Sequence, residues 1–161
     1  MTLTTLQKTQ LNNSNKAMQS AQIGTLLGDM EAGAVGAIRK IEETVLFSQF
    51  TDGGAASGTY TLTAGTIPVG ATVLSSAIKA ITGFTGNVSA TIIIGDGSDT
   101  DRYNTGTPSV FTTAAGGISA GAVSGVAYHT AEKSVVLTVA GSSDFTAISA
   151  GSVTVAVYYL L

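Results

Sequence analysis

The 161-residue chain carries only 11% charged side chains and a net charge of −3, with 44% hydrophobic but only 6% aromatic residues. That length fits one ordinary domain, with or without an appendage. The absence of cysteine excludes disulfides, thiolate chemistry and cysteine-based zinc sites, and the lack of a basic cluster argues against electrostatic binding to nucleic acid.

Gly, Ala, Ser and Thr fill the place of the missing charges. They give a surface of small side chains and hydroxyls that touches other protein with few charges to desolvate. The same composition also suits a β-protein with short polar side chains outside. Residues 1–22 are polar, rich in Thr, Gln and Asn, and show no signal-peptide pattern. The most apolar window, 23–41, contains Asp29, Glu31, Arg39 and Lys40. A membrane-spanning helix needs about 20 largely apolar residues, so no membrane partner is expected, and synthesis in a cytoplasm without an export signal is.

From Ile23 the apolar spacing changes. Ile23, Leu27, Met30, Ala34, Ala37 and Ile41 alternate steps of four and three, with Leu26 and Ile38 widening the stripe. That spacing predicts a helix over 21–44. Gly24, Gly28, Gly33 and Gly36 interrupt it, each costing about 1 kcal/mol relative to Ala. Such a helix needs a partner surface, which is either a sister chain, a larger assembly or its own β-domain. The expected division is an N-terminal arm over 1–44 and a β-domain over 45–161.

The remainder reads as about eight short strands separated by turn residues. Tyr60 and Leu62 alternate with threonines. A long strand over 71–83 is expected to place Leu74, Ile78, Ala80 and Phe84 on one face, with Ser75, Ala77 and Lys79 on the other. Val135, Leu137 and Val139 alternate with Ser134, Val136 and Thr138. Val153, Val155, Val157 and Tyr159 face one way in the last strand. This predicts a mainly β fold, an antiparallel β-sandwich of jelly-roll type, with an immunoglobulin-like sandwich as its competitor.

The stretch 88–104 concentrates the candidate chemistry. A strand over 90–94 ends in Asp96-Gly97-Ser98-Asp99-Thr100-Asp101-Arg102. Asp96, Asp99 and Asp101 offer hard oxygen ligands of the kind Ca²⁺ takes, without the spacing of an EF-hand. The competing reading is a turn in which Asp side chains cap backbone N–H groups, Gly supplies positive φ, and Arg102 pairs with a neighbouring Asp. His129, the one histidine, lies beside a turn, where a solvated or interface role is expected. A Ser-His-Asp triad would need that ring oriented by an acid and set beside an activated Ser. No catalytic residues and no cofactor site are expected, and no phosphate-binding loop occurs.

Three stretches carry a resemblance. Ile67-Pro68-Val69-Gly70-Ala71, then Ile81-Thr82-Gly83-Phe84-Thr85-Gly86, then Ile94-Gly95-Asp96-Gly97-Ser98-Asp99-Thr100-Asp101-Arg102-Tyr103, followed by the valine-rich strand 153–160, resemble small structural proteins of tailed bacteriophages. The resemblance spans roughly 58–161. It implies a decoration or cement protein of the virion head, made in the host cytoplasm and placed on the capsid exterior. Its implied partners are the major capsid protein and itself, as a homotrimer. The arm then contacts the shell or sister chains through Ile23, Leu27, Met30, Ala34, Ile38 and Ile41, while Tyr158 and Tyr159 are candidates for a subunit interface. The alternative function is a fibre, spike or lectin-like module recognising a host glycan, which the absence of Trp disfavours.

Overall fold

Alternation of β-branched residues with hydroxyl-bearing or small ones is the rule from Ile38 onward, and a strand sends successive side chains to opposite faces. The computed structural model describes residues 36–86, 89–111, 118–119, 122–124 and 127–161. In it the alternation builds β1 (Ile38–Leu46), β2 (Thr51–Asp52), β3 (Ser57–Ile67), β4 (Thr72–Gly86), β5 (Ala90–Gly95), β6 (Ile118–Ser119), β7 (Lys133–Gly141) and β8 (Ile148–Leu160). Single 3-10 turns occupy Phe47–Gln49 and Phe145–Ala147.

The fold is mainly β. Among the described residues the strands form two four-stranded antiparallel sheets, ordered β1-β8-β4-β6 and β2-β3-β7-β5. Residues 108–110 extend the second sheet beyond β5, where Ile92 N–H donates to Pro108 O and Val110 N–H to Ala90 O. Along the chain, β1, β4, β6 and β8 lie in the first sheet, while β2, β3, β5, the 108–110 segment and β7 lie in the second. The inward rows of both sheets meet in one core, including Ile41, Val45, Ile78, Val153, Val155 and Val157 from the first and Leu62, Ile92, Ile94, Val135, Leu137 and Val139 from the second.

Side chains and loops tie the two layers together at their flanks. On one flank Glu43 of β1 reaches β3. Its carboxylate accepts from Tyr60 Oη at 2.7 Å, Thr63 N–H at 2.7 Å, Ala64 N–H at 2.9 Å and Thr63 Oγ1 at 3.0 Å. On the other flank the loop after the aspartate turn bridges β5 and β4. Ile94 N–H donates to Asn104 Oδ1 at 2.6 Å, Ser76 Oγ donates to the Tyr103 carbonyl at 2.5 Å, and Phe84 N–H donates to the Val110 carbonyl. Phe47, Phe50, Tyr60, Phe84 and Phe145 form an aromatic cluster with ring centroids 5.2–6.3 Å apart. Offset and edge-on rings at this spacing add to area burial.

Two expectations change. Residues 38–44, assigned above to the end of a helix, are strand. They pair residue for residue with β8, Ile38 with Leu160 through Leu46 with Ser152. Ile41 and Val45, four apart, share a face under either a period of 2 or of 3.6, so that spacing did not discriminate. Ladder pairing and burial decide it, and the compact unit accordingly begins at Ala37 rather than at residue 45. The rest of the expected helix, 21–35, with Ile23, Leu27, Met30 and Ala34, lies outside the described residues.

In β4 the expected faces hold for Ile78 and Phe84, which are buried, but not for Leu74. Register shifts at Val73/Ser75 and Ile78/Ala80 each change the strand's parity. Val73, Ser76 and Ile78 consequently point inward, whereas Leu74 is exposed. The side chain of Ala80 is outside those described.

Candidate functional site: an apolar row on the outer face of the first sheet

The outward positions of β1 are Ile38, Lys40, Glu42, Thr44 and Leu46, since Ile41 and Val45 are buried inside. The outward positions of β8 are Ser152, Thr154, Ala156, Tyr158 and Leu160. Register then aligns them in rows across the sheet. One row runs Ile38, Leu160, Thr72 and, through an isolated bridge, Tyr128. The next runs Lys40, Tyr158 and Ser75, with the bulged Leu74 beside them.

Six large hydrophobic side chains are exposed among the described residues, and five belong to this end of the sheet: Ile38 (67%), Val69, Leu74, Tyr128 (53%) and Leu161. Val69 arrives there because Gly70 N–H donates to the His129 carbonyl, which ties the 68–70 turn to Tyr128's neighbour. Scattered exposed apolar residues are ordinary, but several gathered and rimmed by polar groups mark an interaction surface. The rim is polar. Glu42 sits between Lys40, at 3.1 Å, and Lys79, and these charges hold its carboxyl below the ordinary range. Beyond it the Thr44 and Thr154 hydroxyls meet at 2.8 Å.

The outward positions of the second sheet carry no charge on β3, β5 or β7; they include Thr59, Thr61, Val136, Thr138, Thr91 and Ile93. The broad face of the second sheet thus shows the hydroxyl-rich, charge-poor character that composition implied.

Of the interface candidates, Ile38 is on the apolar row and Tyr158 stands half-buried beside it. Ile41 and Tyr159 point the other way and are core residues. Sequence reasoning missed Val69, Leu74 and Tyr128. Leu74 was assigned inward because the bulge was not visible in the alternation, and Tyr128 sits at a bridge that only tertiary structure creates.

The aspartate turn is occupied by its own chain. Asp96 Oδ1 accepts from Ser98 N–H and Asp99 N–H, both at 2.9 Å. Its Oδ2 lies 2.8 Å from Arg102 Nε and 3.3 Å from Lys133 Nζ. Burial pushes the Asp96 carboxyl up, but the two backbone N–H groups and the two cations together hold it below the ordinary value. Gly97 takes φ +82°, the left-handed conformation such a turn needs. Asp99 faces Arg102 at 3.6 Å, and Asp101 is exposed. Both oxygens of Asp96 are therefore engaged, and among the described residues no three His, Asp or Glu side chains gather as a metal site.

His129 is not solvated as expected. It is 4% exposed and its Nε2 lies 3.2 Å from the hydroxyl of the fully buried Tyr103, with the rings edge-on at 5.7 Å. The tyrosine that follows the aspartate turn gives the imidazole a partner inside the protein.

In fold the chain is similar to a chain in the solved structure of the cyanophage Pam1 capsid asymmetric unit. The match has a TM-score of 0.51 at 22% identity and covers 80% of this chain and 88% of that one. No family model and no curated protein matches the sequence.

Proposed function

We propose that the protein is a structural component of a bacteriophage virion that binds the outside of the capsid as an oligomer, a homotrimer in the simplest case, and braces the shell. The observation that carries this reading is the fold likeness to a chain of a cyanophage capsid asymmetric unit, across most of both chains. We read the two layers as a jelly-roll sandwich. The orders β1-β8-β4-β6 and β3-β7-β5 with residues 108–110, and the passage of the chain between layers, are those of two interlocked Greek keys.

The apolar row is the surface we assign to docking. Burying Ile38, Leu74 and Tyr128 is worth about 1.5–3 kcal/mol each as an upper bound. Association itself costs on the order of 4–15 kcal/mol. One copy alone therefore holds weakly, and copies linked as an oligomer gain avidity without further contacts. This is how a charge-poor surface of modest size can brace a shell that presents many equivalent positions.

The test is co-sedimentation of the purified protein with capsids that lack it. Ile38→Asp combined with Tyr128→Ala is expected to lower capsid occupancy at least tenfold while leaving the melting temperature within a few degrees, because both side chains are exposed. Full occupancy by the double variant removes the row from the docking surface. Failure of the unaltered protein to bind any capsid removes the function.

A further inference from the structure

His129 and Tyr103 form a buried polar pair to which the docking surface lends no explanation. Their contact joins two distant stretches, the end of the aspartate turn and residues 127–130. Backbone hydrogen bonds to the start of β4 also anchor the latter. Gly70 N–H donates to His129 O at 2.8 Å, His129 N–H donates to Ala71 O at 2.9 Å, and Val73 N–H donates to Ala127 O at 3.0 Å. These bonds hold residues 127–129 beside the start of β4 and fix the turn that presents Val69, while Tyr128 points out between them.

We infer that the His129–Tyr103 pair is an acid-sensitive latch: the neutral imidazole holds residues 127–130 and the 68–73 turn in place, and proton uptake by the imidazole releases them.

The geometry dictates the direction. A neutral imidazole nitrogen can accept the Tyr103 hydroxyl proton, whereas an imidazolium can only donate to the phenol oxygen, so charging the ring forces the buried hydroxyl to turn its proton away from Nε2. Tyr103 keeps its proton throughout, since burial first and the Asp96 charge second push its hydroxyl far up. The charged groups that face the imidazole are Arg102 and Asp96 from the turn and Lys133 from β7. Asp96 is already paired with both cations, so a third positive charge finds no free counter-ion. Burial, followed by Arg102, holds the imidazole below its ordinary 6.5, with Asp96 opposing. The neutral form is thus the one the fold selects. The stability it lends is full above pH 6.5 and is lost as the pH falls from there through the folded-state value. The inference does not depend on the capsid reading, since the pair is a property of the fold.

Because His129 is the sole histidine, its imidazole resonances in the full-length protein are unambiguous by NMR. The expected result is a titration midpoint below 6.5. In the same pH range the amides of Gly70, His129 and Val73 should lose exchange protection at least tenfold, while those of Ile92 and Val139 in the centre of the second sheet keep theirs. A midpoint at or above 6.5, or unchanged protection of the three amides across the titration, overturns the latch. His129→Gln supplies a second arm. It keeps a polar side chain without a titrating ring, and the protection loss that accompanies the titration is expected to vanish. Should that variant fail to fold, the titration of the unaltered protein decides alone.

Discussion

Single residues in this protein act chiefly as ties between layers, and two of them make sharp tests. Gly58 lies under the Phe145 ring, where an added Cβ would collide with the ring atoms. The ring is locked among Phe47 and Phe50, so it cannot swing aside without disturbing the cluster. Gly58→Ala is expected to destabilise by about 1–3 kcal/mol, measured by denaturant unfolding; an unchanged midpoint means the cluster yields more easily than its packing implies. Glu43 ties β1 to β3 beside the same cluster, through Tyr60. Burial pushes its carboxyl up, yet the donors from Tyr60, Ala64 and Thr63 together hold it below the ordinary 4.5. The sign follows: the stability it lends is present above pH 4.5 and is lost as the pH falls through the folded-state value. Glu43→Gln should cost about 1–2 kcal/mol at pH 7 and flatten the acid limb of the stability profile below 4.5. Equal acid sensitivity in both proteins would assign that limb to Asp96 instead.

At the scale of elements, β1 is the piece whose role was hardest to read. It is one of the two edge strands of the first sheet, and it covers β8, whose inward row is almost wholly core. Cutting after residue 36 leaves every described strand intact, whereas cutting after residue 46 strips β8 of its neighbour and exposes a long apolar edge. The 37–161 fragment is expected to retain the far-ultraviolet β signal and melt cooperatively, and the 47–161 fragment to aggregate. A soluble, folded 47–161 fragment would show that β1 is dispensable. The expected arm boundary at residue 44 would have destroyed this strand. Strands such as β7 and β8 were legible because clean period-2 alternation has one interpretation. The segment 38–44 was not, because Ile41 and Val45 fit two periods, and Leu74 was not, because a bulge leaves no mark in composition. The aspartate turn was legible in its caps and in the Arg102 pair. Its link to Lys133 was not, since 37 positions of chain separate Lys133 from Asp96. The burial of His129 was hidden for the same reason: its partner is remote in sequence.

For the whole molecule the decisive property is that the row Ile38, Leu160, Thr72 and Tyr128 itself carries no charge, because that sets how docking responds to salt. If contact rests on Ile38, Leu74 and Tyr128, no ion pair needs to form across the interface, and the nearby Lys40–Glu42–Lys79 group is already paired within the chain. Screening shortens from about 10 Å at 0.1 M salt to about 3 Å at 1 M, which weakens exposed charge pairs but not apolar burial. Capsid occupancy should therefore stay within about twofold between those concentrations. A net charge of −3 also repels neighbouring copies slightly, so added salt, if anything, favours crowding on a shell. Occupancy that collapses tenfold at about 1 M salt would instead assign docking to charged groups. It would displace the apolar row from its role while leaving the fold-based reading standing. A dilution series distinguishes the remaining part. Linked copies should leave the capsid far more slowly than the monomer-sized contact allows, and release at the rate of a single weak contact would remove the oligomer from the proposal.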